Sequence, residues 1–326
     1  MATRARAAFV SRHQLVLALL STLLLVCIWY FGSQPGRSSD PLPVVPTTLG
    51  CTTRARSSTW FDNCFNSSLS PVWTPANKRL PPHVHDWWLG LQQQGDVGLP
   101  VVLAKLFRLI RARKRAATER SEIACLTCAL VGNSGNLKDS GFGHEIDAHT
   151  YVLRMNRAPT LGFQRDVGSK TTHHFMYPES ATNAGENCSH VIIPFKVLDL
   201  LWVISALGKG WITKTYAPVL RFLHTRPENV HIYNPAFMKY VHDNWIDGHG
   251  RYPSTGMLAV IFSLHICHMV DAYGFGADER GNWHHYWENN RYAGEFRLTG
   301  VHDADAEYDV LLQLAALGHI RLRRPS

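Results

Sequence analysis

The stretch Cys128-Ala-Leu-Val-Gly132-Asn133-Ser134-Gly135-Asn136 decides the fold. A short apolar run leads directly into a glycine-rich turn, which is typical of a buried strand whose end lets a ligand approach the backbone closely. The turn has neither the GxGxxG of dinucleotide sites nor the GK[ST] of P-loops. An ordinary tight turn explains this segment alone equally well, so its meaning depends on the rest of the chain.

Downstream of this segment, short apolar runs alternate with helical stretches. The runs that predict strands are Ala129–Val131, Tyr151–Met155, Val191–Pro194, Val230–Tyr233, Val270–Tyr273 and Ile320–Leu322. The stretches that predict helices are Val197–Leu207, Phe237–Trp245, Met257–Ile266 and Asp305–Leu317. This alternation predicts an α/β fold with a mostly parallel central sheet flanked by helices. Ligands bind beyond the carboxyl ends of such strands, so the chemistry is expected in loops that follow strands.

Composition and the N-terminal segment limit the class of protein. The chain has 326 residues, a net charge of +8, 45% apolar and 18% charged residues, which excludes a disordered chain, a collagen and a coiled coil. One apolar run, Leu15–Phe31, approaches membrane-spanning length. Arg4, Arg6 and Arg12 precede it, which predicts a cytoplasmic N-terminus and a luminal remainder. A cleaved signal peptide is the alternative, but bulky Ile28–Phe31 makes a poor cleavage site.

The predicted organisation has four parts. Residues 1–14 form a cytoplasmic tail, 15–31 a transmembrane signal-anchor, 32–59 a stem rich in Ser, Thr, Pro and Gly, and 60–326 one luminal globular domain. Leu103, Leu106, Phe107 and Ile110 have helical spacing within a strongly basic stretch. A luminal chain meets no nucleic acid, so a solvated basic helix is favoured over a nucleic-acid surface.

Seven cysteines agree with a luminal position. Cys27 lies in the apolar run, and the other six are disulfide candidates with 15 complete pairings: Cys51, Cys64, Cys125, Cys128, Cys188 and Cys267. Cys125 and Cys128 have redox-motif spacing, but no helix follows them, so a structural disulfide is favoured. Asn66 and Asn187 lie in N-glycosylation sequons.

Two further segments supply ligand-binding chemistry. In Arg251-Tyr-Pro-Ser-Thr-Gly256, Ser254 or Thr255 is a natural N-cap for the helix that follows, and a helix N-terminus binds anions. A plain helix cap is the alternative, since every helix needs one. Tyr273-Gly-Phe-Gly-Ala-Asp278 again ends a predicted strand in glycines, which could wrap a sugar or a base.

The last two segments are rich in histidine. Trp283-His-His-Tyr-Trp-Glu288 and Val301-His-Asp-Ala-Asp-Ala-Glu307 offer general bases near neutral pH. Zinc binding by these histidines is an alternative, but no His-Glu-x-x-His spacing supports it. Asp303 and Asp305 have the spacing of a DxD metal site for a sugar diphosphate, or of acids at the start of a helix.

Together these segments resemble the motifs of the animal sialyltransferases. The run from Cys128 to Ser180 is similar to the large motif through VGNSGNLKDSGFG, LRMNRAPT and DVGSKTTHHFMYPES, and RYPSTGMLAVIFSLHIC with YGFGAD resembles the small motif. HHYWEN resembles the third motif, and His302 to Glu307 the very small motif. PFKVLDLLW, YNPAF and NWHHYWENNRYAGEFR are most similar to the β-galactoside α-2,3-sialyltransferases that act on Galβ1-3GalNAc.

The resemblance implies a fold and an activity. The fold would be a single Rossmann-like glycosyltransferase domain, a GT-A-like variant. The activity would be α2,3 transfer of sialic acid from CMP-sialic acid to the galactose of Galβ1-3GalNAc, on O-glycans of glycoproteins and on glycolipids. The reaction would be an inverting single displacement that uses no metal and no other cofactor. The protein would be a single-pass type II Golgi membrane protein with a luminal catalytic domain, and release of a shed form stays open.

The resemblance also implies roles for residues. His302 would be the base on the acceptor hydroxyl, while His285 and Tyr216 would hold the departing phosphate. The other residues implied to contact the donor are Asn133, Ser134, Asn156, Ser254, Thr255, Gly256, Gly274, Phe275 and Gly276. The residues implied to face the acceptor are Gln92, Tyr177, Ser180 and Tyr252.

A Cys128–Cys267 disulfide is implied as well. Cys125 would then pair in the N-terminal region, with Cys51 as first choice and Cys64 as second, and Cys188 could remain free. Two other functions compete with this interpretation. One is a metal-dependent glycosyltransferase with a sugar-diphosphate donor, and the other is a non-catalytic, membrane-anchored glycan-binding protein.

Overall fold

The computed structural model describes residues 58–92, 98–110, 125–277, 284–289 and 300–325. All of them belong to one compact unit, Gly50–Ser326. The predicted tail, signal-anchor and nearly all of the stem lie outside the described residues, as do Cys51, Asp278 and Trp283. Within the described ranges, no helix combines the length and the apolar character needed to cross a membrane.

The strands form one sheet, which has eight members among the described residues. They are β1 (Val72–Trp73), β2 (Thr127–Val131), β3 (Tyr151–Met155), β4 (His173–Met176), β5 (Ser189–Ile192), β6 (Val230–Tyr233), β7 (Met269–Tyr273) and β8 (Arg321–Arg323). Their order is β1-β6-β5-β4-β3-β2-β7-β8, and only the β1–β6 pair is antiparallel. The predicted α/β fold with a mostly parallel central sheet is confirmed.

Helices and short 3₁₀ turns connect these strands. The described helices are α1 (Thr59–Cys64), α2 (Pro82–Gly90), α3 (Leu99–Leu109), α4 (Gly143–Asp147), α5 (Gln164–Val167), α6 (Val197–Ala206), α7 (Pro235–Asn244), α8 (Thr255–Ile266) and α9 (Ala304–Ala316). The 3₁₀ turns are Gly135–Leu137, Pro178–Ser180 and Pro227–Asn229. The predicted basic helix corresponds to α3, which buries Val102, Leu103 and Leu106.

Strand β4 was not predicted, because its sequence His-His-Phe-Met carries two titratable side chains. All four residues are nevertheless buried. His173 forms a hydrogen bond with the Thr172 hydroxyl, and His174 donates from Nε2 to the Asn156 carbonyl. These bonds allow neutral imidazole rings to lie in the core.

Helix α8 positions the loops that follow the central strands. It is apolar on all sides, and ten of its twelve residues are buried. It packs against β2, β3, β4 and β7. A helix with no polar face must be covered on every side, so the sequence Thr-Gly-Met-Leu-Ala-Val-Ile-Phe requires this central position.

A disulfide joins this helix to the sheet. Cys128 on β2 and Cys267, the residue after α8, are paired with their Cα atoms 6.1 Å apart, which confirms the implied pairing. Cys64 and Cys188 are free and buried, so the second-choice Cys125–Cys64 pairing is wrong. Cys125 is disulfide-bonded, and its partner is none of the described cysteines. The Cys125–Cys51 pairing therefore stays a prediction.

Removing this disulfide should destabilise the domain. Because the bond spans 139 residues of sequence, the double substitution Cys128→Ala with Cys267→Ala should cost roughly 2–5 kcal/mol of unfolding free energy. Urea unfolding under non-reducing conditions measures this cost. The control is Cys188→Ala, which removes a buried thiol that forms no disulfide. Equal losses in the two proteins would contradict the prediction.

Candidate active site

One cavity, of about 330 Å³, collects nearly every predicted site residue. It lies beyond the carboxyl ends of β2, β3 and β7. From β2 the chain first adds strands on one side of the sheet, beginning with β3, and later adds β7 on the other side, so the order of strands reverses at β2. Such a reversal point opens a crevice between adjacent loops. The predicted residues that line it are Gln92, Asn133, Ser134, Asn156, Tyr177, Tyr216, Tyr252, Ser254, Thr255, Gly256, Gly274, Phe275, Gly276, His285 and His302.

The loops after β2 and β7 form the floor of this cavity. The Gly132 N–H donates to the Tyr273 carbonyl at 2.7 Å, and the Ser134 N–H donates to the Gly274 carbonyl at 3.1 Å. A Cβ atom on Gly132 would lie 2.2 Å from the Gly274 carbonyl oxygen. Gly132 therefore has to be glycine, and the two glycine-rich motifs of the sequence belong to one backbone surface.

The His-His-Tyr-Trp segment is hydrogen-bonded onto the β2 loop. The Gly135 N–H donates to the His284 carbonyl at 2.7 Å, and the Tyr286 N–H donates to the Asn133 carbonyl at 3.1 Å. These bonds place His285 beside Ser134, with which it forms an isolated bridge. Motifs separated by about 150 residues of sequence thus share one wall of the cavity.

Two asparagines that line this cavity have side-chain acceptors without a partner among the described groups. Asn133 Oδ1 and Asn156 Oδ1 are buried, and neither has a hydrogen-bond partner among the described groups. Asn156 also adopts the left-handed backbone conformation, with φ 57°. A buried acceptor without a partner costs free energy, so both amides would gain from turning towards a hydrogen-bond donor in the cavity.

His302 has the environment of a general base. Its Nδ1–H donates to the Tyr252 carbonyl at 2.8 Å, which places the lone pair of the neutral ring on Nε2. The Tyr252 ring packs edge-on against it, with centroids 5.0 Å apart. Burial lowers the pKa of His302, and the bond to Tyr252 offsets part of that effect. The ring is therefore neutral near neutral pH and able to accept a proton.

His285 is oriented by two neighbours in its own segment. Its Nδ1 lies 2.9 Å from Glu288 Oε1, to which it donates. Its ring stacks on Trp287, with centroids 4.4 Å apart and planes 7° from parallel. The contacts with Glu288 and Trp287 fix the orientation of the ring. Because Nδ1 is engaged by Glu288, Nε2 is the nitrogen left to contact a ligand.

A buried lysine, which the sequence did not single out, organises the other side of the cavity. Lys196 Nζ donates to Gln92 Oε1 at 2.8 Å and forms ion pairs with Asp199 at 2.9 Å and Glu179 at 3.4 Å. It also lies 5.1 Å from the centroid of the Tyr216 ring, within cation–π range. Burial raises the pKa of Asp199 to about 6 although Lys196 opposes the shift. Lys196 therefore fixes Gln92 and supports Tyr216.

Ser180 is the one predicted acceptor-facing residue that does not line the cavity. It is buried, and its hydroxyl accepts from the Tyr177 N–H at 3.1 Å and donates to the Tyr177 carbonyl at 3.2 Å. Ser180 thus shapes the turn that carries Tyr177, which does line the cavity.

Glu307 holds the N-terminus of α8 in place. Ser254 is the N-cap of α8, since its hydroxyl accepts from the Met257 N–H at 3.1 Å. The Ser254 N–H donates to Glu307 Oε1 at 2.7 Å, and the Ser254 hydroxyl contacts the other carboxyl oxygen. Burial raises the pKa of Glu307 to about 7 against the effect of these bonds. Glu307 is the last residue of the histidine-containing segment 301–307, but the spacing of that segment does not predict its contact with Ser254.

Asp303 serves as a helix cap. Its Oδ1 accepts from the Ala306 N–H at 3.0 Å at the start of α9, and its Oδ2 lies 3.0 Å from His249 Nδ1. These two bonds lower the pKa of Asp303. The structural interpretation of the Asp303 and Asp305 pair is thereby favoured for Asp303. Across the described part of the chain, no group of three His, Cys, Asp or Glu side chains is arranged to hold a metal ion.

The raised pKa of Glu307 predicts how Glu307→Gln changes stability with pH. Between its ordinary pKa of 4.5 and about 7, the folded protein binds a proton that the unfolded chain lacks, so wild-type stability falls as pH rises. Glutamine mimics the protonated acid and removes this fall. Relative to wild type, the variant should therefore gain on the order of 3 kcal/mol between pH 4.5 and pH 8.

Urea unfolding of both proteins across this pH range measures the gain. The control is Glu186→Gln at an exposed carboxylate. A stability difference between Glu307→Gln and wild type that stays constant with pH would contradict the prediction.

Comparisons with known proteins show which family this chain belongs to. The family model described as glycosyltransferase family 29 (sialyltransferase) matches residues 72–319. CMP-N-acetylneuraminate-beta-galactosamide-alpha-2,3-sialyltransferase 2 of Mus musculus is 56% identical over 275 residues, 84% of this chain and 78% of the relative. The corresponding sialyltransferase 1 of Homo sapiens is 50% identical over 277 residues, 85% of this chain and 82% of the relative.

Solved structures show the same relationship. The crystal structure of a mammalian sialyltransferase is 49% identical and has a TM-score of 0.77, covering 82% of this chain and 95% of that one. The same values hold for a mammalian sialyltransferase in complex with Gal-beta-1-3GalNAc-ortho-nitrophenol. With the family match extending over most of its length, this chain belongs to glycosyltransferase family 29, the sialyltransferases.

Proposed function

We propose that this chain transfers sialic acid from CMP-sialic acid to the 3-hydroxyl of galactose in Galβ1-3GalNAc, on O-glycans of glycoproteins and on glycolipids. The observation that carries the proposal is the convergence of His302, His285 and the donor-loop asparagines on a single cavity. The names of the relatives and the acceptor in the solved complex support the α2,3 linkage and the disaccharide.

The proposed reaction is a single inverting displacement with His302 as the base. The acceptor hydroxyl oxygen bonds to the anomeric carbon of sialic acid while the bond from that carbon to the CMP phosphate oxygen breaks. The hydroxyl proton passes to Nε2 of His302, whose Nδ1–H stays on the Tyr252 carbonyl. Because burial lowers the pKa of His302, the ring is ready to accept this proton at neutral pH.

The leaving phosphate needs charge stabilisation, which hydrogen bonds can supply. Tyr216 is proposed to donate to it from its hydroxyl, and His285 from Nε2 of the doubly protonated ring, whose Nδ1–H stays on Glu288; both residues line the cavity. The N-terminus of α8, with Ser254 and Thr255, adds backbone donors and a favourable dipole. The phosphodiester of CMP-sialic acid carries one negative charge and develops a second as CMP leaves, and the proposed mechanism stabilises that charge with these hydrogen bonds and uses no metal.

The cavity divides into a donor side and an acceptor side. Asn133, Ser134 and Asn156 are proposed to bind the nucleotide, since their loops follow adjacent strands and all three residues line the cavity. Gly256, Gly274, Phe275 and Gly276 would shape the donor side. Gln92, Tyr177 and Tyr252 would face the acceptor, with Ser180 positioning Tyr177.

The proposed function includes a location in the cell and a membrane topology. The chain would be a type II Golgi membrane protein with tail 1–14, signal-anchor 15–31, stem 32–59 and a luminal Rossmann-like, GT-A-like domain 60–326. The exposed side chains of Asn66 and Asn187 would carry N-glycans. Cys125 would pair with Cys51.

The defining test of this function compares two acceptors with and without EDTA. The full-length protein in detergent is incubated with CMP-sialic acid and either Galβ1-3GalNAc or Galβ1-4GlcNAc. Transfer should go mainly to the first acceptor and should be unaffected by EDTA. Loss of transfer with EDTA would favour the metal-dependent alternative, and preference for the second acceptor would contradict the disaccharide. CMP binding without transfer would favour the glycan-binding alternative.

The histidine roles predict separable kinetic effects. His302→Ala should lower kcat by on the order of 100- to 10,000-fold while the Kd for CMP changes little, because the base does not hold the nucleotide. His285→Ala should weaken CMP binding as well as turnover. The acidic limb of the wild-type kcat profile should lie below pH 6.5, since burial lowers the pKa of His302.

Kinetics and CMP titration of each variant measure these effects, with exposed His83→Ala as the control. Loss of CMP binding in His302→Ala would place His302 in the donor site and contradict its role as base.

A further inference from the structure

Three charged side chains form a buried cluster beside the active-site cavity. The Lys196 ammonium pairs with Asp199 at 2.9 Å and with Glu179 at 3.4 Å, and each of the three side chains is at most 6% exposed. None of them is among the described residues that line the cavity. A buried ion pair adds little net stability, because the cost of removing its charges from water offsets their attraction. Stability alone therefore does not account for this cluster.

The ammonium fixes the orientation of the Gln92 amide. Lys196 Nζ contacts one end of this amide at 2.8 Å, and Gln92 lines the cavity. An ammonium can only donate, so the atom that it contacts is the oxygen Oε1, and Nε2 is left to donate elsewhere. Burial raises the pKa of Tyr252, and hydrogen bonding by Gln92 opposes that rise, as a donor to the phenolic oxygen does. Lys196 thus directs the Gln92 Nε2 towards the Tyr252 hydroxyl.

Asp199 links the cluster to an aromatic wall of the cavity. Its Oδ2 accepts from the Phe195 N–H at 2.8 Å and from the Lys196 N–H at 3.2 Å, which fixes the chain just before α6. The Phe195 ring lines the cavity and packs against Tyr252 and Tyr177, with centroids 4.7 and 5.9 Å apart. The position of Asp199 therefore helps to determine where these three rings lie.

Glu179 links the cluster to the loop that carries Tyr216. It lies in the 3₁₀ turn that follows Tyr177, and its Oε1 accepts from the Thr215 hydroxyl. The next residue, Tyr216, lines the cavity, and its ring centroid lies 5.1 Å from Lys196 Nζ. Through Glu179 and this ring contact, Lys196 joins the loop of Tyr216 to the turn after Tyr177.

We propose that Lys196 is the positioning residue of the acceptor side. Together with Asp199 and Glu179 it holds Gln92 and the surrounding rings in the one arrangement that binds the acceptor sugar. Ion pairs and hydrogen bonds are directional, so they specify the orientation of an amide better than apolar packing would. The inference rests on the proposed function, because the acceptor role of Gln92, Tyr177 and Tyr252 is part of that function.

The test removes the ammonium without leaving Asp199 as a buried unpaired charge. The pair variant is Lys196→Met with Asp199→Asn, since breaking only one side of a buried ion pair destabilises a protein strongly. The matched control is Lys239→Met with Asp243→Asn. Lys239 pairs with Asp243 at 2.7 Å and lies 5.3 Å from the Trp87 ring centroid, but it does not line the cavity.

Steady-state kinetics of the full-length protein in detergent measure the effect, with the acceptor disaccharide that wild type uses. The pair variant should raise the acceptor KM about tenfold or more, because Gln92 loses a charge-assisted hydrogen bond. The Kd for CMP should change less than about threefold, since the nucleotide is proposed to bind the loops after β2 and β3. The control should leave both constants unchanged. A merely structural defect would lower the amount of active enzyme and leave the acceptor KM unchanged.

A double-mutant cycle shows whether Lys196 acts through Gln92. If it does, adding Gln92→Ala to the pair variant should raise the acceptor KM by clearly less than the product of the two separate effects. Titration of the disaccharide into the CMP-saturated proteins should rank their affinities in the same order without relying on turnover.

Three results in an active wild-type background would contradict this inference alone. They are an unchanged acceptor KM in the pair variant, a CMP Kd that weakens as much as the acceptor KM, and full multiplicativity with Gln92→Ala. A wild type that binds CMP but neither binds nor sialylates a disaccharide would contradict the proposed function itself and the inference with it.

A second variant decides the matter if the pair variant does not fold. Lys196→Arg keeps the buried charge, but its larger planar group cannot occupy the position of the ammonium between Gln92 and the two carboxylates. It should raise the acceptor KM about threefold or more, while Lys239→Arg leaves it unchanged. An acceptor KM equal to that of wild type in Lys196→Arg would then count against the positioning role.

Discussion

The close approach of two backbone loops, after β2 and after β7, is the constraint on which the site depends. Gly132 has no room for a Cβ, because the Gly274 carbonyl oxygen would lie 2.2 Å from it. The hydrogen bonds from Gly132 to Tyr273 and from Ser134 to Gly274 then extend the sheet pairing beyond the strand ends. The segment His284–Tyr286, which includes His285, is hydrogen-bonded to this surface. A side chain at position 132 would separate the loops and displace both glycine-rich motifs.

Burial at the rim of the cavity sets protonation states that favour the proposed chemistry. His302 is held neutral because burial lowers its pKa, while burial raises the pKa of Glu307 to about 7. Burial causes both pKa shifts because it disfavours the charged form of each group. The shifts have opposite directions, since histidine becomes neutral by releasing a proton and a carboxylic acid stays neutral by keeping one. Near neutral pH the cavity thus contains a neutral acceptor of protons, and the carboxyl that supports the α8 N-terminus still holds its proton in part of the molecules.

The strands and loops were readable from the sequence, whereas the contacts that support them were not. Apolar runs identified β2, β3, β6 and β7, and the motif residues after them do line one cavity. Strand β4 was not predicted, because its two histidines make the sequence polar and their hydrogen bonds to neighbouring groups cannot be read from it. The supporting roles of Lys196 and Glu307 were not predicted for a different reason. Their partners Gln92 and Ser254 lie 104 and 53 residues away, and no local pattern encodes a pair at such separation.

Strand β3 serves two cavities because adjacent residues on a strand face opposite sides of the sheet. Met155 lines the active-site cavity, and Arg154 lines a second cavity, which shares no lining residue with the first. The chain then turns at Asn156, whose φ of 57° is tolerated better by asparagine than by most other residues. Its side chain lines the active-site cavity while its carbonyl accepts a hydrogen bond from His174, so the packing of His174 in the core helps to place the residue proposed to bind the nucleotide. Alternation along one strand therefore lets Arg154 brace the chain on one side of the sheet, through the Val167 and Lys170 carbonyls, while the next residue helps to form the active-site cavity on the other.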